Sequence, residues 1–64
     1  MRDIKTEKIR LGDMPRAVSL ATVFGQARNI LQRENKILIR MVLLNRGQKY
    51  CDLLVSFIYD EKKK

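Results

Sequence analysis

The sequence predicts a small α+β domain in which one main helix packs on a short sheet, in the order β-α-β-β or β-α-β-α. Residues 5–11 alternate like a strand, residues 16–33 have helical spacing, and residues 37–44 form the longest apolar run. At 64 residues the chain is long enough for one domain only. A domain this small often needs a disulfide, a metal or a second chain to become stable, so we expect oligomerisation to complete the fold.

The first strand and its end are marked by a change in residue type. Ile9 and Leu11 flank Arg10, which predicts one buried face on a strand over residues 5–11. A break follows at residues 12–15, Gly-Asp-Met-Pro. Proline favours the first turn of a helix, and the aspartate before it is expected to cap the free N–H groups of that turn.

The predicted helix runs from Arg16 to Arg33. Gly25 lies inside it, and we expect this glycine to allow close packing against a neighbour. The helix is expected to stop at Glu34-Asn35, where asparagine tolerates a left-handed conformation. The apolar residues recur at three- and four-residue steps and form one stripe: Ala17, Leu20, Ala21, Phe24, Ala27, Ile30 and Leu31.

The apolar run over residues 37–44 predicts a core strand. Both of its faces are mainly apolar, and such strands are normally central and covered on both sides. One helix can cover only one face well. We therefore expect the second face to be covered by the end of the chain or by another copy of it.

The segment from residue 50 to residue 59 admits two interpretations. As a strand it alternates cleanly, and its residue types favour β structure. Arg46-Gly47 then lies in a hairpin turn, with the glycine supplying a positive φ. As a helix, Tyr50, Leu53 and Phe57 belong to a stripe at helical spacing. The ends, residues 1–4 and 60–64, are expected to fray.

Positive charge is concentrated in the middle of the chain. Fourteen Lys and Arg residues against seven Asp and Glu residues give a net charge of +7. Residues 36–50 carry four basic side chains and no acidic one, and a separate basic tail ends the sequence at Lys62–Lys64. An excess of this kind attracts polyanions by electrostatic steering and by counterion release.

These observations predict a small nucleic-acid-binding protein, with RNA favoured over DNA, that contacts phosphates through a basic strand and turn. Arginine can hold phosphate bidentately, and glycine lets the backbone approach closely. Tyr50 beside the turn could stack on an unpaired base. The candidate binding residues are Arg10, Arg16, Lys36, Arg40, Arg46, Gly47, Lys49 and Tyr50.

Several function classes find no support in the sequence. It contains no His, one Cys and no phosphate-binding or metalloprotease motif, so we expect neither an enzyme nor a metal or other cofactor. Cys51 is expected to be a small buried apolar residue. The apolar run is too short to span a bilayer and contains Arg40, so we expect no membrane partner and a cytoplasmic location.

Two short motifs resemble known nucleic-acid-binding families. The segment Ile9–Pro15 is similar to the opening strand of the Alba family of chromatin and RNA-binding proteins, and Arg46-Gly47 resembles the Arg-Gly turn of that family. The order around residues 30–39 also resembles the C-terminal domain of bacterial translation initiation factor three. The resemblance covers residues 8–50 and implies a β-α-β-α start. Alba proteins usually carry lysines just after this glycine, whereas the corresponding residues here are Asp13 and Met14. The nucleic-acid contacts that the resemblance implies are therefore limited to Arg10 and Arg46.

A second hypothesis belongs to a different class, a protein-interaction or assembly subunit without catalytic activity. The surface used would be the uncovered apolar face of the strand over residues 37–44, or an unpaired strand edge. The partner would be a second copy, giving a dimer, or a larger complex. On this hypothesis the basic charge serves solubility or an acidic partner.

Overall fold

The computed structural model describes residues 3–61, which form one helix on a three-stranded antiparallel sheet. The order along the chain is β1 (Lys5–Leu11), α1 (Leu20–Arg33), β2 (Lys36–Arg46) and β3 (Cys51–Tyr59). This confirms the α+β class. The β-α-β-β order is also confirmed, and the β-α-β-α alternative is wrong, because the last apolar segment pairs with both other strands. The basic tail predicted at Lys62–Lys64 lies outside the described residues.

The central strand is β3, so the prediction of a central strand over residues 37–44 is wrong. The sheet order is β1-β3-β2, which places β2 at an edge. The register between β2 and β3 shifts at Ile39 and again at Leu44. Each extra residue reverses the inward and outward alternation that follows it, because side chains point to opposite faces with a period of two. A half-buried edge strand with two such bulges therefore looks apolar on both faces.

The core lies between the helix and one face of the sheet. Alternate residues of β3 are completely buried there, and Cys51 is among them, as expected. The strand alternation predicted for β1 is confirmed, with Leu11 buried and Ile9 partly buried. The buried core residues are Leu11, Met14, Val23, Ala27, Leu31, Cys51, Leu53, Val55 and Phe57.

The helix begins four residues later than predicted. Its N-cap is Ser19, whose hydroxyl accepts a hydrogen bond from the backbone N–H of Thr22 at 3.3 Å. Asp13, the predicted cap, has a φ of 52° in the loop between β1 and α1. Serine is a strong capping residue, and its position overrides the proline signal.

The buried stripe of the helix agrees in part with the predicted one. Ala27 and Leu31 are buried as predicted, whereas Val23 was not predicted and Leu20, a predicted stripe residue, is 42% exposed. Beyond its chain neighbours and the helix backbone, no residue among 3–61 lies within 4 Å of a Cβ atom placed at Gly25, so the expected close packing at this glycine does not occur within the fold. The end of the helix was predicted correctly, since Asn35 adopts a φ of 60° just after the C-cap.

Candidate nucleic-acid interface

Within residues 3–61, one face of the sheet has no helix on it, and cross-strand pairing determines which side chains lie there. Residues directly opposite each other in an antiparallel pair point to the same face. The rows across the sheet on this face are Arg10–Asp52–Asn45, Lys8–Leu54–Val42, Thr6–Ser56–Arg40 and Ile58–Ile37. A hydrogen bond of 3.2 Å between the hydroxyls of Thr6 and Ser56 agrees with this assignment. These eleven residues are called the helix-free face below.

The helix-free face is basic along its two outer strands. β1 contributes Lys8 and Arg10, and β2 contributes Arg40, all exposed. Leu54 and Val42 lie between them and are partly buried. The side chain of Arg40 has no hydrogen-bond or ion-pair partner among residues 3–61. Leu54 and Val42 thus form an apolar patch, and both outer strands carry cations.

Arg10 forms an ion pair with Asp52, the acidic residue on this face, and covers its carboxylate. Nε of Arg10 donates to Oδ1 at 2.7 Å and Nη2 donates to Oδ2 at 3.1 Å, so the pair is bidentate. The Asp52 side chain is 5% exposed, against 60% for Arg10. The hydrogen bond from Arg10 lowers the pKa of Asp52 below its usual value, and the charges of Arg10 and Lys8 lower it further. Asp52 is therefore ionised at neutral pH and shielded from solution.

Tyr50 joins this cluster at the end of the face nearest the β2–β3 turn. The guanidinium carbon of Arg10 lies 4.2 Å from the centroid of the Tyr50 ring. The side-chain amide of Asn45 donates to the Tyr50 hydroxyl at 3.5 Å. The stacking of a guanidinium on an aromatic ring is favourable and restricts both side chains. Arg10, Asp52, Tyr50 and Asn45 thus form one connected group.

Gly47 is required in the turn for a reason that the sequence did not indicate. Its φ is not positive, so the predicted role of this glycine in the hairpin is wrong. A Cβ atom at position 47 would overlap Cε2 and Cζ of the Tyr50 ring. The backbone N–H of Gly47 also donates to the Tyr50 carbonyl at 2.9 Å. The absence of a side chain therefore lets the Tyr50 ring lie against the backbone.

Arg46 lies on the helix side of the sheet, opposite Cys51. Its Nη2 donates to the carbonyl oxygen of Arg16 at 2.8 Å and to that of Val18. Nε is buried and has no hydrogen-bond partner among the described residues. These hydrogen bonds engage the Arg46 guanidinium and hold the loop that leads into α1.

Lys36 also lies on the helix side, opposite Tyr59, and is engaged by acids. Its ammonium is 2.8 Å from Glu34 and 3.4 Å from Glu7, and it lies 4.5 Å from the centroid of the Phe57 ring. The hydrogen bond to Glu34 raises the pKa of Lys36, and its side chain is 13% exposed. The charge of this lysine is balanced within the fold.

The structure therefore divides the predicted binding residues into three groups. Arg10 and Tyr50 are in contact at one end of the helix-free face, and Arg40 lies on the same face further along β2. Arg16, Gly47 and Lys49 lie at the loop end of the sheet, where the Lys49 carbonyl accepts from the Met14 N–H. Lys36 and Arg46 make contacts inside the fold. Lys8 and Asn45 were missed, although the alternation that buries Ile9 and Leu11 already places Lys8 beside Arg10 on the other face.

Within residues 3–61, no helix is long and apolar enough to cross a membrane. No group of three or more Cys, Asp or Glu side chains in that part of the chain is arranged to hold a metal ion.

Comparison with known proteins returned no match to a protein-family model, to a curated protein or to a solved structure. The resemblance to the Alba family and to initiation factor three accordingly stays a prediction.

Proposed function

We propose that this chain binds nucleic acid, single-stranded RNA in preference to DNA duplex, through its helix-free face. The observation that carries the proposal is the charge of that face. Lys8 and Arg40 border it on both outer strands, and its carboxylate, Asp52, is neutralised by Arg10. A polyanion approaching this face meets cations without a competing exposed acid.

The shape of the face favours an unpaired strand over a duplex. Duplex DNA is usually recognised by a helix or ribbon that enters a groove, whereas unpaired bases can be splayed over a sheet. A sheet with apolar side chains between two basic borders offers contacts to bases and phosphates at once. Arg16 and Lys49, both exposed at the loop end of the sheet, add positive charge at that end of the molecule.

The experiment is a salt titration of binding to a labelled single-stranded RNA, followed by fluorescence anisotropy. If about four phosphates are contacted, log Kd changes with log salt with a slope of roughly 3 in magnitude. The test variant is Lys8→Gln with Arg40→Gln. The matched control, Lys5→Gln with Arg28→Gln, removes the same charge from exposed side chains off this face.

We expect the test variant to lose affinity and salt dependence, and the control to lose much less. Equal losses in both variants would show that net charge alone, and not this face, attracts the RNA. No binding by the wild-type protein at low salt would overturn the function itself.

A second candidate function, assembly with another copy of this chain, is favoured by one observation on β2. The outer edge of this strand pairs with no other strand of residues 3–61, and Ile37, Ile39 and Leu44 are each 40% or more exposed along it. Light scattering coupled to gel filtration tests this candidate. A dimer that Ile39→Lys dissociates supports it, and a monomer at all concentrations contradicts it.

A further inference from the structure

Arg10 is the most constrained exposed cation in the described part of the chain. Asp52 holds two of its N–H groups, and the Tyr50 ring lies 4.2 Å from its guanidinium carbon. Tyr50 in turn is held by Asn45 and lies against Gly47. A long side chain that normally samples many rotamers is thus fixed in one orientation by contacts on two sides.

The remaining surface of Arg10 is open. The side chain is 60% exposed although its guanidinium is engaged. An arginine has five N–H donors, and Asp52 accepts two of the hydrogen bonds they can form, so three donors are left. The exposed part of Arg10 therefore presents a planar group with donors along one edge.

The charge of Arg10 makes phosphate an unfavourable partner for it. A carboxylate at 2.7 Å already balances that charge, so an approaching phosphate would be repelled by Asp52 as well as attracted by Arg10. Lys8 and Arg40 carry no such bidentate partner among the described residues. A balanced, planar and weakly hydrated guanidinium is better matched to the π-face of a base.

We propose that Arg10, fixed between Asp52 and Tyr50, is a stacking platform for an unpaired nucleobase. This inference rests on the proposed function, and it adds which part of the nucleic acid, a base, Arg10 contacts. Lys8 lies two residues along β1, about 7 Å away, whereas Arg40 lies opposite Thr6 across the sheet on β2, roughly 17 Å from Arg10. A base on Arg10 would leave a flanking phosphate within reach of Lys8, and Arg40 could contact the nucleic-acid strand only further along.

The test compares two labelled strands of equal length and phosphate number, one with bases and one fully abasic. We expect wild-type protein to bind the base-containing strand roughly tenfold more tightly at the same salt concentration. Arg10→Lys keeps the charge but removes the planar group, so this ratio should fall towards one. Lys5→Arg is the control, and it should leave the ratio unchanged.

Each outcome has a distinct meaning. Equal, salt-dependent binding of both strands by the wild-type protein would overturn the platform and leave the proposed function standing. Failure of both strands to bind at low salt would overturn the proposed function. If circular dichroism shows that Arg10→Lys does not fold, the NMR signal of the Arg10 Nε–Hε group in the wild-type protein is followed instead. A ring-current shift of that signal with the base-containing strand, and not with the abasic strand, supports the platform. No shift contradicts it.

Discussion

The guanidinium of Arg46 donates a hydrogen bond to the carbonyl oxygen of Val18, which joins the end of β2 to the residue before the helix cap. The most conspicuous arginine of the basic turn is therefore a structural residue in this fold. Its second hydrogen bond, to the carbonyl of Arg16, fixes the same loop. Candidate binding residues cannot be selected here by basic charge alone.

Arg46→Met should destabilise the fold. The change removes two hydrogen bonds from a charged donor and leaves both carbonyls without it, which costs about 2 kcal/mol. Urea denaturation measures the loss, and Arg28→Met, an exposed helical position, serves as the control. An Arg46→Met protein that is as stable as wild type but binds RNA poorly would show that Arg46 contacts the ligand instead.

Gly47→Ala should destabilise the protein by displacing the Tyr50 ring. The added methyl group overlaps three ring atoms, so the ring must move and its contact with Arg10 weakens. Overpacking of this kind typically costs about 1–3 kcal/mol. Thermal denaturation checks the change. Tyr50→Leu in the same background should relieve part of the cost, and the prediction fails if Gly47→Ala is neutral.

Gly25→Ala should act in the opposite direction. The position is helical, its φ is not positive and a Cβ there meets open space. Alanine should stabilise the helix by up to about 1 kcal/mol, which corresponds to a rise in Tm of about 4–8 °C for a domain this small. A lower Tm would indicate that Gly25 packs against something, such as a second copy of the chain.

The ion pair between Arg10 and Asp52 should make stability depend on pH in acid. Because the folded-state pKa of Asp52 is lowered, its contribution is fully present above the usual pKa of 3.8 and is lost as the pH falls through the lowered value. Asp52→Asn removes this titrating group. The Tm difference between wild type and Asp52→Asn, measured from pH 7 to pH 2, should therefore shrink in acid. A constant difference would contradict the pairing.

Local signals in the sequence predicted the elements well where local chemistry determines them. The alternation around Arg10 indicated β1, and β propensity over residues 51–59 indicated β3. The helix start was misplaced because Pro15 and Asp13 resemble a helix start, whereas Ser19 provides the cap. The edge position of β2 was predicted wrongly because the bulges at Ile39 and Leu44, which no local pattern reveals, make this strand look apolar on both faces.

The candidate site could be predicted only in part. Lys8 shares a face with Arg10 by strand periodicity alone, so this pair was accessible from the sequence. The internal role of Arg46 depends on carbonyl groups about thirty residues away, and that of Lys36 depends partly on Glu7. Long-range partners of this kind arise only when the sheet and the loop are assembled.

The most direct test of the central claim, that the helix-free face binds nucleic acid, is an NMR titration of the ¹⁵N-labelled protein with single-stranded RNA. We expect the largest backbone amide shifts at Lys8, Arg10 and Arg40, and at Leu54 between them. Shifts concentrated on the exposed side of the helix, around Arg28 and Arg33, or at Lys36, with the sheet face unchanged, would contradict the account.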